Sequence, residues 1–103
     1  MSTADDDVLA ALWRSVEHVA RARLAVLEDG LHALRGGAPD AAERAAAAFE
    51  ECHKLVGSLD SYARTGGSAL ALQAAVLFAL PHPDTSALTE VVAGLRRTVD
   101  APT

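Results

Sequence analysis

The sequence predicts an all-α fold, an antiparallel up-down four-helix bundle, and three observations lead to it. Apolar residues recur at spacings of three and four in several segments, as they do along one face of a helix. No segment shows the strict apolar–polar alternation that is typical of a strand. Half of the 103 residues are apolar but only 4% are aromatic, so Ala, Leu and Val must form the core, which favours closely packed helices. A chain of this length is expected to form a single domain over residues 1–103.

The first helix is predicted over residues 6–35. Residues 1–4 are expected to be frayed, and the acidic run Asp5–Asp7 favours a helix start because negative charge interacts well with the positive end of the helix dipole. Gly36 and Gly37 then predict the end of this helix, and Pro39 predicts the start of the next one. Between these limits the apolar repeat continues through Leu9, Leu12, Val16, either Val19 or Ala20, Leu24, Leu27, Leu31 and Leu34.

Three shorter helices are predicted over residues 40–62, 68–80 and 86–98. The first is separated from the second by a break at Thr65–Ser68, and Pro81–Pro83 ends the second. Either Asp84 or Ser86 is expected to cap the last helix. Because the links are short, consecutive helices are expected to run in opposite directions.

Composition and charge argue against several classes of function. The net charge is −5 and no basic stripe is present, so neither nucleic acid nor an anionic membrane surface is an expected partner. The single cysteine, Cys52, rules out an internal disulfide and favours a cytoplasmic location. The N-terminus is acidic where a signal peptide is basic, and the apolar run Ala69–Leu80 is too short to span a bilayer. The tail Ala101–Thr103 is expected to be the natural end of a free-standing chain.

His53 and Gly57 form the most informative pair in the sequence, because they lie one turn apart within a predicted helix. A glycine inside a helix costs about 0.5–1 kcal/mol relative to alanine, and this chain is rich in alanine. Gly57 therefore indicates either clearance for something that approaches His53, or a close contact between helices. A reactive histidine on an open helix surface is what a phosphoryl carrier needs.

The predicted helix places His53 at the rim of the apolar face, in a strip with small residues in its middle and charges at its ends. Either Glu50 or Asp60 is expected to hold the second ring nitrogen, and the sequence does not decide between them. Lys54 and Arg64 are candidate cations for a phosphoryl group. Cys52 is adjacent to His53, but no second Cys/His pair exists to complete a zinc site, so no metal is expected.

The segment from Cys52 to about Leu72 resembles the histidine-containing phosphotransfer (HPt) family of two-component phosphorelays. The family pattern is a histidine followed by Leu at two, often Lys at three, Gly at four, a small residue at five, an aromatic near nine and often Gly at ten. The residues at these positions here are His53, Leu55, Val56, Gly57, Ser58, Tyr62 and Ala63. The segment Gly67–Ala71 also resembles the start of the next helix of the family.

This resemblance implies that His53 accepts the phosphoryl group and that Gly57, with Ser58 beside it, keeps the docking surface clear. The main departure is Val56, which stands where the family often has lysine. Lys54 points away from that position, so Arg64 is the expected substitute.

A relay intermediate is therefore the predicted function, with a response-regulator receiver or a histidine kinase as partner. No nucleotide-binding or catalytic motif is present, so the chain is expected to be a carrier rather than an enzyme. No cofactor is expected, since the receiver supplies Mg²⁺. The alternative is a helical docking module that no longer relays. Helix 68–80 is apolar nearly all round, and a patch at Leu77, Phe78 and Leu80 is predicted to dock a partner or form a weak homodimer.

Overall fold

The computed structural model describes residues 3–102 of the chain, and side chains from residue 6 onward. Within these residues the fold is all-helical and contains no strand. Four α-helices pack around one apolar core, which is compatible with a four-helix bundle, and a short 3₁₀ helix, Asp60–Tyr62, lies between the second and third. The α-helices are α1 (Thr3–Gly36), α2 (Ala41–Val56), α3 (Gly67–Ala79) and α4 (Thr85–Asp100).

The core is aliphatic, with one large aromatic anchor. Trp13 is 2% exposed and belongs to the same buried cluster as the leucines of α1, α2 and α4. The largest fully buried side chains besides Trp13 are Leu24, Leu27, Cys52, Leu55, Leu59, Leu88, Leu95 and Val99. Along α1 the buried face thus follows Trp13, Ala20, Leu24 and Leu27, whereas Leu12 and Val19 of the predicted repeat are exposed.

Helix α1 begins earlier than predicted. It starts at Thr3, so Thr3 and Ala4 are helical rather than frayed, while residues 1 and 2 of that prediction lie outside the described part of the chain. Asp84 resolves the open choice of cap for α4, because its Oδ1 accepts hydrogen bonds from the backbone amides of Ser86 (3.0 Å) and Ala87 (3.1 Å).

Helix α2 ends at Val56, six residues before the predicted end at 62, and there the Ser68 hydroxyl lies between the Val56 carbonyl and the Asp60 amide, which a longer helix would join directly. Ser58 Oγ donates to the carbonyl of Lys54 at 3.1 Å, and Ser68 Oγ donates to the carbonyl of Val56 at 2.7 Å. The backbone amides of Ser58 and Leu59 both donate to Leu55 O, which tightens the turn. Hydroxyl groups that bond to backbone in this way compete with the regular hydrogen bonds of a helix.

Helices α1 and α2 approach most closely at Gly30. A Cβ atom added there would lie 2.9 Å from Ala48 Cβ and 3.0 Å from the carbonyl oxygen of Arg44. Beside this contact Arg44 Nε donates to Asp29 Oδ2 at 2.9 Å, and the Arg44 hydrogen bond lowers the pKa of Asp29. The glycine therefore allows the short distance between the two helices, and the Arg44–Asp29 ion pair lies on the surface beside it.

We predict that Gly30→Ala destabilises the fold, by about 1–3 kcal/mol, because the new methyl group meets backbone atoms of α2 that cannot rotate away. Gly36→Ala is the matched control, since a Cβ at Gly36 meets nothing within 4 Å. Urea unfolding should show the loss for Gly30→Ala only. Equal stability of the two variants would contradict this account of the α1–α2 contact.

Candidate functional site

His53 lies on the exposed surface of α2, one turn before the helix ends. Its imidazole packs against Phe49, with ring centroids 4.6 Å apart and ring planes at 89°. Phe49 is half-buried and packs against the core, so it is held in place from below. An edge-to-face pair of this geometry restricts the orientation of the exposed ring.

Neither predicted carboxylate holds the His53 ring. Among the side chains of residues 6–102, His53 forms no hydrogen bond and no ion pair. Glu50 is exposed on the same side of α2. Asp60 instead binds the start of α3, where its Oδ1 accepts from the backbone amide of Ser68 at 3.4 Å. Phe49 is thus the neighbour that sequence reasoning missed, although its spacing of four residues from His53 on a helix could have indicated it.

Gly57 does not lie inside a helix, as predicted, but at the C-cap of α2. Its dihedral angles, φ −79° and ψ −12°, are ordinary for any L-residue. A Cβ added to Gly57 would have Lys54 O as its nearest neighbour, at an ordinary contact distance of 3.8 Å. The alternative of a close helix–helix contact is therefore wrong for Gly57, since neither packing nor backbone within the described chain requires glycine there. What its absent side chain leaves open is the surface next to His53.

The charges predicted beside His53 are mostly engaged elsewhere. Lys54 is exposed and its Nζ lies 3.1 Å from Glu51 Oε1, while Arg23 of α1 lies 3.6 Å from the other oxygen of the same carboxylate. Val56 is half-buried against the core. Ser58 Oγ is engaged with the carbonyl of Lys54 at 3.1 Å. The histidine surface consequently has few free charges and consists mainly of His53, Phe49, Glu50 and Gly57.

Arg64 was predicted to lie on the strip of His53, and this prediction is wrong. Because α2 ends at Val56 and Ala63 adopts a left-handed conformation (φ 60°), the chain turns away before it reaches Arg64. Arg64 is only 6% exposed, and its guanidinium carbon lies 4.3 Å from the centre of the Trp13 ring. Burial lowers the pKa of Arg64. Asp60 leaves the strip for the same reason, since it begins the 3₁₀ helix.

The apolar patch on α3 differs from the predicted one in two of its three residues. Phe78 is buried in the core at 4% exposure, and Leu77 is half-buried against the core. The exposed apolar side chains of α3 are Leu72 (53%), Val76 (57%) and Leu80 (46%). Their spacing of four places them along one side of the helix. We refer to these three residues as the α3 stripe.

The thiol next to His53 is unsuited to chemistry. Cys52 is fully buried, and burial raises the pKa of its thiol to about 12. Within the described residues no group of three or more His, Cys, Asp or Glu side chains is placed to hold a metal ion. In the same part of the chain, no helix is both long and apolar enough to cross a membrane.

Comparison of the chain with protein-family models, with curated proteins and with solved structures finds no match.

We predict that Phe49→Leu alters the environment of the His53 ring while the fold is kept, because leucine fills the half-buried position but lacks the aromatic face. The ring-proton resonances of His53 should move towards those of an unstructured histidine in NMR spectra. His32, which is exposed on α1, serves as the internal control and should not move. Unchanged His53 resonances would show that Phe49 does not orient the ring.

Proposed function

We propose that this protein is a phosphorelay intermediate that accepts a phosphoryl group on His53 and exchanges it with the aspartate of a response-regulator receiver. One observation carries the proposal: an exposed imidazole lies beside a glycine that nothing within the described chain requires. The resemblance of residues 52–72 to the HPt family supports the same function. A cytoplasmic location and a histidine kinase as an alternative donor are part of the proposal.

An antiparallel up-down arrangement, as in HPt domains, is also proposed, and contacts between helices support it. Arg23 pairs with Glu51, while Asp29, further along α1, pairs with Arg44, which comes earlier in α2. Helices α1 and α4 show the same reversal, because Arg21 pairs with Asp100 and Glu28 with Arg96. Such an arrangement places His53 alongside the middle of α1, because neighbouring Glu51 pairs with Arg23.

The transfer step needs little from this chain beyond a positioned nucleophile. The lone pair of a neutral imidazole nitrogen attacks the phosphorus of the aspartyl phosphate as the bond from phosphorus to the carboxylate oxygen breaks. The carboxylate leaves as an anion, and the proton on the other ring nitrogen stays on the phosphoimidazolium until the reverse step. The chain acts as a carrier and not as an enzyme, and it brings no cofactor of its own. Because Lys54 is paired with Glu51 and Val56 is apolar, we propose that Mg²⁺ in the receiver neutralises the phosphoryl charge.

A panel of phosphorylated receivers tests the acceptor directly. We expect an acid-labile, alkali-stable label on the wild type and none on His53→Gln, because the amide has no nucleophilic nitrogen. His32→Gln is the matched control, since His32 is another exposed helical histidine. Label on His53→Gln would reassign the acceptor. No label from any donor, with folded proteins, would favour the alternative below.

The clearance role of Gly57 has a separate test. We predict that Gly57→Gln slows transfer by about 100-fold, because a side chain there holds the donor phosphorus away from the ring. The melting temperature should stay unchanged, since the new side chain meets no other part of the described chain. Gly36→Gln, at an equally open position at the end of α1, should leave both transfer and stability as they are. A Gly57→Gln protein that transfers normally would remove the basis for the docking surface.

The alternative function is a helical docking module without relay activity, and two observations favour it. Val56 takes the place of the usual lysine, and the α3 stripe exposes apolar surface. The same stripe is the candidate surface for the weak homodimer, in place of Leu77 and Phe78. Sedimentation of the wild type beside Val76→Gln tests this, and a wild type that stays monomeric at high concentration would exclude the homodimer.

A further inference from the structure

A second concave site lies apart from the histidine surface, where α1 meets the last turn of α4 and the segment 63–65. It is a cleft of about 700 Å³, a volume within the usual range for small-molecule sites. Half-buried Tyr62 provides an aromatic wall, buried Trp13 lies behind it with ring centroids 6.1 Å apart, and Leu9 and Leu70 add aliphatic surface. His53 is not among its lining residues.

The buried guanidinium of Arg64 lines this cleft and is only partly used by the protein. Its Nη1 donates to the carbonyls of Ala101 (2.6 Å) and Thr98 (3.3 Å). A guanidinium has five N–H donors, so those on Nε and Nη2 have no acceptor among the described residues. Every fully buried side-chain nitrogen of the described residues has a hydrogen-bond partner. Nε and Nη2, which have none, are therefore not fully buried, and we place their solvent access at the cleft that Arg64 lines.

The charge of Arg64 has no direct ion pair among residues 6–102. Its guanidinium stacks on Trp13, and Glu17 interacts with it only beyond ion-pair distance. A buried charge without a counter-ion is costly, and burial accordingly lowers the pKa of Arg64. An anion in the cleft would supply both the missing acceptors and the missing charge.

The remaining charges of the cleft restrict the anion. Arg97 is exposed and lines the cleft, so it adds a second cation at the rim. Asp6 and Glu90 also line it, and these two carboxylates disfavour ligands with several negative charges. The lining therefore matches a ligand with one negative charge and an otherwise apolar structure.

We propose that the cleft binds a small aromatic monocarboxylate, with the ring against Tyr62, Leu9 and Leu70 and the carboxylate accepting hydrogen bonds from Nε and Nη2 of Arg64. This site is independent of the phosphorelay proposal.

Three probes of nearly equal shape but different charge test the site: phenylacetate, phenylacetamide and phenethylamine. In amide and indole NMR spectra of the full chain, phenylacetate should cause saturable shifts at Trp13 Nε1–H and at the Thr98–Ala101 amides, with a Kd of about 10 mM or tighter. The neutral amide should bind about tenfold more weakly, because it lacks the charge-assisted hydrogen bonds, and the amine should bind least. Equal binding of acid and amide, shifts centred on the α3 stripe, or no saturation would each overturn the proposal.

Two variants assign the charge. Arg97→Gln removes an exposed cation from the rim, and we expect phenylacetate to bind a few-fold more weakly while the fold is kept. Arg64→Gln should remove the preference for acid over amide altogether. If Arg64→Gln does not fold, the comparison of the three probes on the wild type still decides. Arg35→Gln, at an exposed position outside the cleft, is the control and should bind as the wild type does.

Discussion

The Ser68 hydroxyl at the end of α2 makes the interaction on which both sites of this molecule depend. Ser68 Oγ donates to the carbonyl of Val56 and accepts from the amide of Asp60, the two groups that the next helical bond would join, so the chain leaves the helix and enters a turn. The stop leaves Gly57 at the cap, one turn beyond His53, and sends the following residues back towards α1. Leu59 is then buried against Gly67, where an added Cβ would lie only 2.8 Å from the leucine side chain. The same turn delivers Arg64 to Trp13. The histidine surface and the cleft are thus two products of one local event.

These two sites use opposite physical strategies. At the histidine surface few interactions are made: His53 has an aromatic neighbour but no hydrogen bond within the described residues, and Gly57 has no side chain. A carrier gains from this, since a ring nitrogen already committed to a carboxylate would have to be released before it reacts. In the cleft the protein leaves a charge incompletely satisfied in a largely buried position, so an incoming group can complete it. The histidine surface can accept a partner because Gly57 leaves space there, and the cleft can accept a ligand because Arg64 has hydrogen-bond donors to spare.

Helix content could be predicted from the sequence, because the apolar periodicity that determines it is local. The end of α2 could not, since Leu59 and Tyr62 continue the helical spacing of apolar residues after the helix has ended. The bond that stops it comes from Ser68, in the next helix, and no local pattern reveals it. The errors at Asp60 and Arg64 follow from that one boundary. On α3 the uniform apolar sequence has no polar side to orient it, so only packing decides that Phe78 is buried and Val76 exposed.

Trp13 is the only tryptophan of the chain, and it is stacked under the Arg64 guanidinium at the end of the molecule where α4 finishes. Its intrinsic fluorescence therefore reports the local structure of that region. An unfolding curve followed by tryptophan emission describes the junction of α1, α4 and the segment around Arg64. Opening confined to the surface around His53 and Phe49 would leave the emission unchanged. Coincidence of the fluorescence curve with the loss of helical circular dichroism would accordingly show that this junction unfolds cooperatively with the rest of the domain.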